Sequence, residues 1–316
     1  MPERRTVLKR IGAATTVGAL AGCLGNDGGN GDGGSEPYVD SKIKFLMSPS
    51  EPQDRLRAQY TPIKNRLNEY VDAVDTAEMQ YAKNYAATLT ALGSGTGDVA
   101  ETGPFAAALG VDTGDAEVLL QRKGYGSWTY SSVIVTRPET NISSLTDLEG
   151  KKVAFADRLS ASGSLYPLAM LKQAGLSVPE EPGSPAGADF EPSWSTHGNA
   201  AEALKSGTVD AAGVGYFIVA NDDRTGFVDG VEEVKQDKGI PRAPIMVSPQ
   251  LDDEEKTKIK EAFTKADQSL YWGKDGEEGT KDDLWFSGVR EASEETYQPV
   301  VDKAKTLGYS ADIFGN

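Results

Sequence analysis

The stretch Lys151-Lys152-Val153-Ala154-Phe155-Ala156-Asp157-Arg158-Leu159-Ser160-Ala161-Ser162-Gly163-Ser164 holds a short apolar run, a Ser/Gly turn and the opening of a helix. A strand that feeds a helix through a tight polar turn is the unit of α/β architecture. Such a turn leaves backbone N–H groups without partners at the helix start. Those donors, the hydroxyls of Ser160 and Ser162 and the helix dipole together favour a bound anion. A plain serine N-cap with nothing bound is the alternative. A nucleotide-type phosphate loop is excluded, because no Gly-Lys-Ser/Thr ending follows.

The same alternation continues on both sides of this stretch. Strands are expected over residues 42–47, 76–81, 98–100, 118–121, 130–136, 209–219 and 244–248. Helices are expected over 54–71, 85–92, from Pro104, up to Gly175, and over 200–205, 252–270 and 292–307. Pro62 kinks the first helix or marks its true start. Strands alternating with helices indicate parallel pairing, with ligands bound beyond the carboxyl ends of the strands.

His197 is the single histidine of the chain, in Ser195-Thr196-His197-Gly198 just before the expected helix at Ala200. It is a candidate hydrogen-bond donor to an anion, with a charge that shifts near neutral pH; a structural histidine is the alternative. A third helix start follows Gly103-Pro104. Tyr81, Tyr85, Trp128, Tyr130 and Tyr216 are aromatics that either line a cleft or pack in a core. Asp275 to Asp283 is acid-rich but lacks the spacing of a calcium loop, so no metal site is assigned.

The net charge is −16. Nucleic acid is thereby excluded as a partner, because phosphate backbones require a basic footprint. The carboxylates are scattered, which suits a high-salt environment where screening makes such a charge tolerable.

Residues 1–22 read as an export signal of the twin-arginine type: Arg4-Arg5, then a run from Ile11 to Ala21 shorter than the ~20 apolar residues of a membrane-spanning helix. The run ends in Leu20-Ala21-Gly22-Cys23, a sequence like a lipoprotein box, and Cys23 is the only cysteine. Lipidation of Cys23 would hold the protein on the outer face of the cell membrane. Residues 23–41, rich in Gly, Asn and Asp, read as a flexible tether.

Several blocks together resemble the phosphonate-binding family. They are Gly97-Asp98-Val99-Ala100 with Gly103-Pro104, Tyr130 to Val135, Asp147-Leu148-Glu149-Gly150-Lys151, Ser160 to Gly163, Thr196-His197 and Gly207-Thr208-Val209-Asp210-Ala211. The resemblance runs from about residue 42 to the C-terminus. It implies a substrate-binding subunit of an ABC importer for phosphonate, phosphite or phosphate, working with a permease and its ATPase. The implied fold is α/β, two-lobed and of the type II periplasmic-binding (Venus-flytrap) class, with a mixed sheet in each lobe and a two-segment hinge. Residues 42–134 plus 217–316 are expected to form lobe 1 and residues 135–216 lobe 2, with crossings near Val133–Thr136 and Val214–Ala220. A monomer that needs no cofactor is expected.

By the same resemblance, Ser160, Ala161, Ser162, Gly163 and His197 hold the oxyanion, while Tyr85 and Tyr130 contact the ligand from the cleft walls; Tyr216 is expected beside them as a cleft-lining aromatic. Ala161 departs from the family's Ser-Thr-Ser-Gly turn and lacks one hydroxyl. Tyr216-Phe217 stands where relatives that recognise an aminoalkyl tail place a carboxylate, so an ammonium-bearing phosphonate is not the expected ligand. A same-fold receptor for an unrelated solute, and a secreted hydrolase using Ser160 or Ser162 with His197, are the rival readings.

Overall fold

The computed structural model describes residues 38–50 and 53–310. Arg4, Arg5, Cys23 and most of the tether lie outside the described residues. The first part of the fold contains β1 (Lys42–Met47), α1 (Gln53–Gln59), α2 (Thr61–Tyr70), β2 (Thr76–Tyr81), α3 (Tyr85–Gly93), β3 (Val99–Glu101), α4 (Pro104–Thr113) and β4 (Glu117–Gly124). The single helix expected over 54–71 is two helices. Pro62 sits in the first turn of α2, where a missing N–H costs nothing, and Tyr60 at the break is fully buried against Phe45 and Phe286.

The chain then enters β5 (Thr129–Thr136), β6 (Lys152–Phe155), a π-helical turn (Ala161–Leu165) and α5 (Tyr166–Gln173). β7 (Glu191–Trp194), α6 (His197–Lys205), β8 (Ala211–Gly215), the short α7 (Tyr216–Val219) and β9 (Glu232–Pro241) follow. The fold closes with β10 (Pro244–Val247), α8 (Asp253–Thr264), β11 (Phe286–Glu291) and α9 (Gln298–Leu307).

Two mixed sheets result, not purely parallel ones: six strands in the order β11-β4-β10-β3-β1-β2 and five in the order β7-β6-β8-β5-β9. In the first, β1 runs parallel to β2 and β3, whereas β10 lies antiparallel between β3 and β4. In the second, β6 is parallel to β7 and β8, and β5 is antiparallel to β8 and β9.

The change of sheet falls elsewhere than expected. Val133 to Thr136 lie inside β5, paired on one side with β8 and on the other with β9. The chain leaves the first sheet after Gly124 and rejoins it after Pro241, so the crossings are the segments 125–128 and 242–243. They lie side by side, with Arg242 N–H donating to Trp128 O at 2.9 Å. Val209 to Val219, expected as one strand, is β8 followed by the turn of α7.

α9 returns to pack against both α4 and α5, and one hydrophobic cluster joins Phe105, Tyr85, Phe155, Leu168 and Val300. Among the described residues, no helix is long and apolar enough to cross a membrane.

Candidate functional site

Between the sheets lies a cleft of about 660 Å3. Ser160 caps the π-helical turn at the carboxyl side of β6, and its Oγ accepts the Gly163 N–H at 3.1 Å. The N–H groups of the first turn, Ala161 and Ser162, have no acceptor within their own helix, as at any helix start.

His197 is the first residue of α6, capped by the Thr196 side chain, rather than a residue preceding the helix. Its Nδ1 accepts the Gly215 N–H at 3.2 Å, so the neutral ring carries its proton on Nε2. Nε2 lies 3.0 Å from Ser160 Oγ. Ser160 Oγ thus accepts two hydrogen bonds, from Gly163 and His197, and its own proton is left to donate into the cleft. Burial pushes His197 down to about 4. The ring is therefore uncharged at neutral pH, contrary to the expected charge shift near pH 7, because burial disfavours its charged form.

Gly163 stands behind this cradle. A Cβ there would overlap that of Ala156 and lie 2.7 Å from His197 Cε1. Ser162 is fully buried, with its carbonyl taking the Ser132 hydroxyl at 2.7 Å. Burial pushes the Tyr130 phenol up, against hydrogen bonding from Ser162 and the positive charge of Arg242.

Tyr85 forms the facing wall, packed on Gly103, and burial drives its phenol far above the usual tyrosine range. Glu101 and Arg122, which line the same cleft, form a fully buried ion pair. Glu101 also takes the Ser48 N–H and hydroxyl, at 2.8 and 2.9 Å.

Of the expected site residues, Tyr85, Tyr130, Ser160, Ala161, Ser162 and His197 line one cleft. Tyr216 does not. α7 turns its phenol away, to donate to Arg224 O and Gly226 O, and Phe217 lines the cleft instead. Trp128 is also off the cleft, stacked against the Arg290 guanidinium. Tyr125, Arg242 and Trp285, none of them expected from the sequence, line the wall at the crossings. Gly124-Tyr125-Gly126 was a legible turn, whereas Pro241-Arg242-Ala243-Pro244 gave no sign that the arginine is buried. Among the described residues, no group of three or more His, Cys, Asp or Glu side chains is placed to hold a metal ion.

Residues 45–297 match the family model described as "ABC transporter, phosphonate, periplasmic substrate-binding protein". A phosphate-import protein PhnD of Mycolicibacterium smegmatis is 30% identical over 169 residues, covering 52% of this chain and 51% of that protein. The chain thus spans about half the length of this curated relative. A binding protein component of an ABC phosphonate transporter from Pseudomonas aeruginosa superposes with TM-score 0.67 at 18% identity, over 84% of this chain and 86% of that one. PhnD1 from Prochlorococcus marinus, in complex with methylphosphonate, superposes with TM-score 0.63 at 17% identity, over 85% and 99%. These likenesses establish the two-lobed, type II periplasmic-binding fold, with a mixed sheet in each lobe.

Proposed function

The chain belongs to the family of periplasmic substrate-binding proteins of phosphonate ABC transporters, and from that premise we propose that it captures a small phosphorus oxyanion at the Ser160 turn. The observation that carries this reading is the Ser160 hydroxyl. Two hydrogen bonds accepted on its oxygen aim its proton into the cleft, beside the helix-start N–H groups. Donors fixed before the ligand arrives lose little freedom on binding. Fixed dipoles act at short range, so a protein of net charge −16 still holds an anion.

Capture is by closure of one sheet half on the other about segments 125–128 and 242–243. Closure is favoured by contacts the ligand makes only in the closed state, with Tyr85 supplying the facing wall. The captured oxyanion is then delivered to a permease driven by its ATPase. Export through Arg4-Arg5 and anchoring through lipidated Cys23 complete the reading, which rests there on sequence alone; a Cys23→Ala protein released into the medium supports it, and one retained on the membrane contradicts it.

The family is one of binding proteins, not enzymes. A catalytic serine would need a histidine whose Nε2 is free to take its proton. Here Nε2–H is the donor, and Nδ1 meets a backbone N–H instead of a carboxylate.

A thermal-shift panel of methylphosphonate, phosphite, phosphate and sulfate tests the proposal. The phosphorus oxyanions are expected to raise the melting temperature without being consumed. No shift with any of them would overturn it.

A further inference from the structure

The cradle at Ser160 contains no positive charge, because its histidine is neutral and its remaining donors are hydroxyls and backbone amides. A cation stands elsewhere in the same cleft. Arg242, in the second crossing between the sheets, is only 8% exposed, yet its Nε has no hydrogen-bond partner. Among the described residues no carboxylate pairs with it. Its neighbour Arg122 differs, being neutralised by Glu101.

The side chain of Arg242 is held by aromatic faces: its guanidinium carbon lies 5.1 Å from the Tyr130 ring centre, 5.3 Å from Tyr125 and 6.0 Å from Trp285. Arg224 stacks on Tyr125 at 3.4 Å and adds a second cation to this corner. The backbone of Arg242 is fixed as well, its N–H donating to Trp128 O and its carbonyl accepting the Tyr297 hydroxyl at 2.9 Å. Burial pushes Arg242 down to about 10, which leaves it charged at neutral pH. A buried, charged guanidinium whose Nε lacks a partner, held in place on the wall of the cleft, calls for an anionic partner. Tyr130 divides this corner from the cradle, with Ser162 against its phenol and Arg242 over its ring.

We propose that Arg242 is a second anion-binding point of the cleft. Its ligands are then phosphorus oxyanions that carry a further acidic group on a short carbon tail. This rests on the oxyanion reading of the Ser160 cradle and names the class of compound that fills the rest of the cleft. The phosphorus group lies on the uncharged donors, and the tail acid reaches past Tyr130 to the guanidinium. A tail that ends in an ammonium meets two arginines and is disfavoured.

Titration calorimetry of the wild-type protein with phosphonoacetate, methylphosphonate and 2-aminoethylphosphonate tests this. Phosphonoacetate is expected to bind about tenfold or more tightly than methylphosphonate, the gain of one charge-assisted contact. 2-Aminoethylphosphonate is expected to bind weakest. Arg242→Gln is expected to abolish the phosphonoacetate preference while leaving methylphosphonate affinity within about threefold. Equal affinities in the wild type, or equal weakening of both ligands by Arg242→Gln, overturn the assignment while methylphosphonate binding leaves the oxyanion reading intact. If none of the three binds, the assignment falls, and the phosphite and phosphate arms of the thermal-shift panel decide the oxyanion reading. The wild-type ranking decides the matter even if the variant does not fold.

Discussion

His197 Nε2 and Ser160 Oγ lie 3.0 Å apart, and the tautomer fixed by Gly215 makes the histidine the donor of that hydrogen bond. The two residues therefore act as one device. The imidazole does not carry charge to the ligand; it turns the serine hydroxyl toward it. Stability then depends on pH in a definite direction. The folded His197 titrates at about 4 against 6.5 when unfolded. Between those values the unfolded chain binds a proton that the folded chain refuses, so stability is complete above pH 6.5 and falls as pH drops toward 4. Wild type is expected to lose about 3 kcal/mol more than His197→Gln over this interval. Urea unfolding at several pH values checks it; parallel curves for the two proteins would contradict it.

Gly163 is required by space, not by backbone conformation. Gly163→Ala is expected to cost about 1–3 kcal/mol through the clash with Ala156 and His197, and to weaken oxyanion binding with it. Gly198→Ala, where a Cβ meets nothing within 4 Å, is the control for stability and is expected to keep its melting temperature. Thermal melts of the two variants should differ accordingly.

The Glu101–Arg122 pair is buried at the wall of the cleft, Arg122 also reaching Tyr60 Oη and Ala243 O at 3.2 Å. Glu101→Gln leaves that guanidinium buried without its counter-charge. A loss of about 3–5 kcal/mol is expected, the range for breaking a buried pair from one side. A loss below about 1 kcal/mol in urea unfolding would show that the site is better solvated than its burial indicates.

Tyr125 adopts φ 49 in the first crossing, a left-handed conformation that costs a side-chain-bearing residue. Its ring compensates by stacking on Arg224 and Arg242. Tyr125→Gly is expected to be more stable than Tyr125→Ala by about 1 kcal/mol, since both lose the ring and only alanine keeps the strain. Equal stabilities would mean that the turn relaxes.

β1 and β2 are legible to the residue, Lys42–Met47 as a short apolar run and Thr76–Tyr81 as its parallel neighbour. β7, β9 and β11 are not. β9 reads Glu-Glu-Val-Lys-Gln-Asp-Lys-Gly-Ile-Pro, and as an edge strand it tolerates this charge while pairing with β5. That omission displaced the expected second crossing, since without β9 the last strand of the second sheet in chain order is β8. Within the site, the Ser160 turn and His197 are readable because caps and helix starts are local features. Arg242 is not, because its burial depends on Tyr125, Tyr130 and Trp285, which are distant in sequence. Tyr216 misled for a related reason: a strand reading gives alternate residues to the cleft, but α7 begins at Tyr216 and turns its ring toward Phe227.

The most direct test of the account is methylphosphonate affinity in Ser160→Ala beside wild type, measured by titration calorimetry on proteins with matching circular dichroism. Wild type is expected to bind one equivalent saturably. The variant lacks the hydroxyl that Gly163 and His197 orient, and is expected to bind more weakly by about 1.5–3 kcal/mol, the loss of a hydrogen bond to a charged group. Affinities within twofold of each other, or no binding by wild type, would contradict the placement of the oxyanion on this turn.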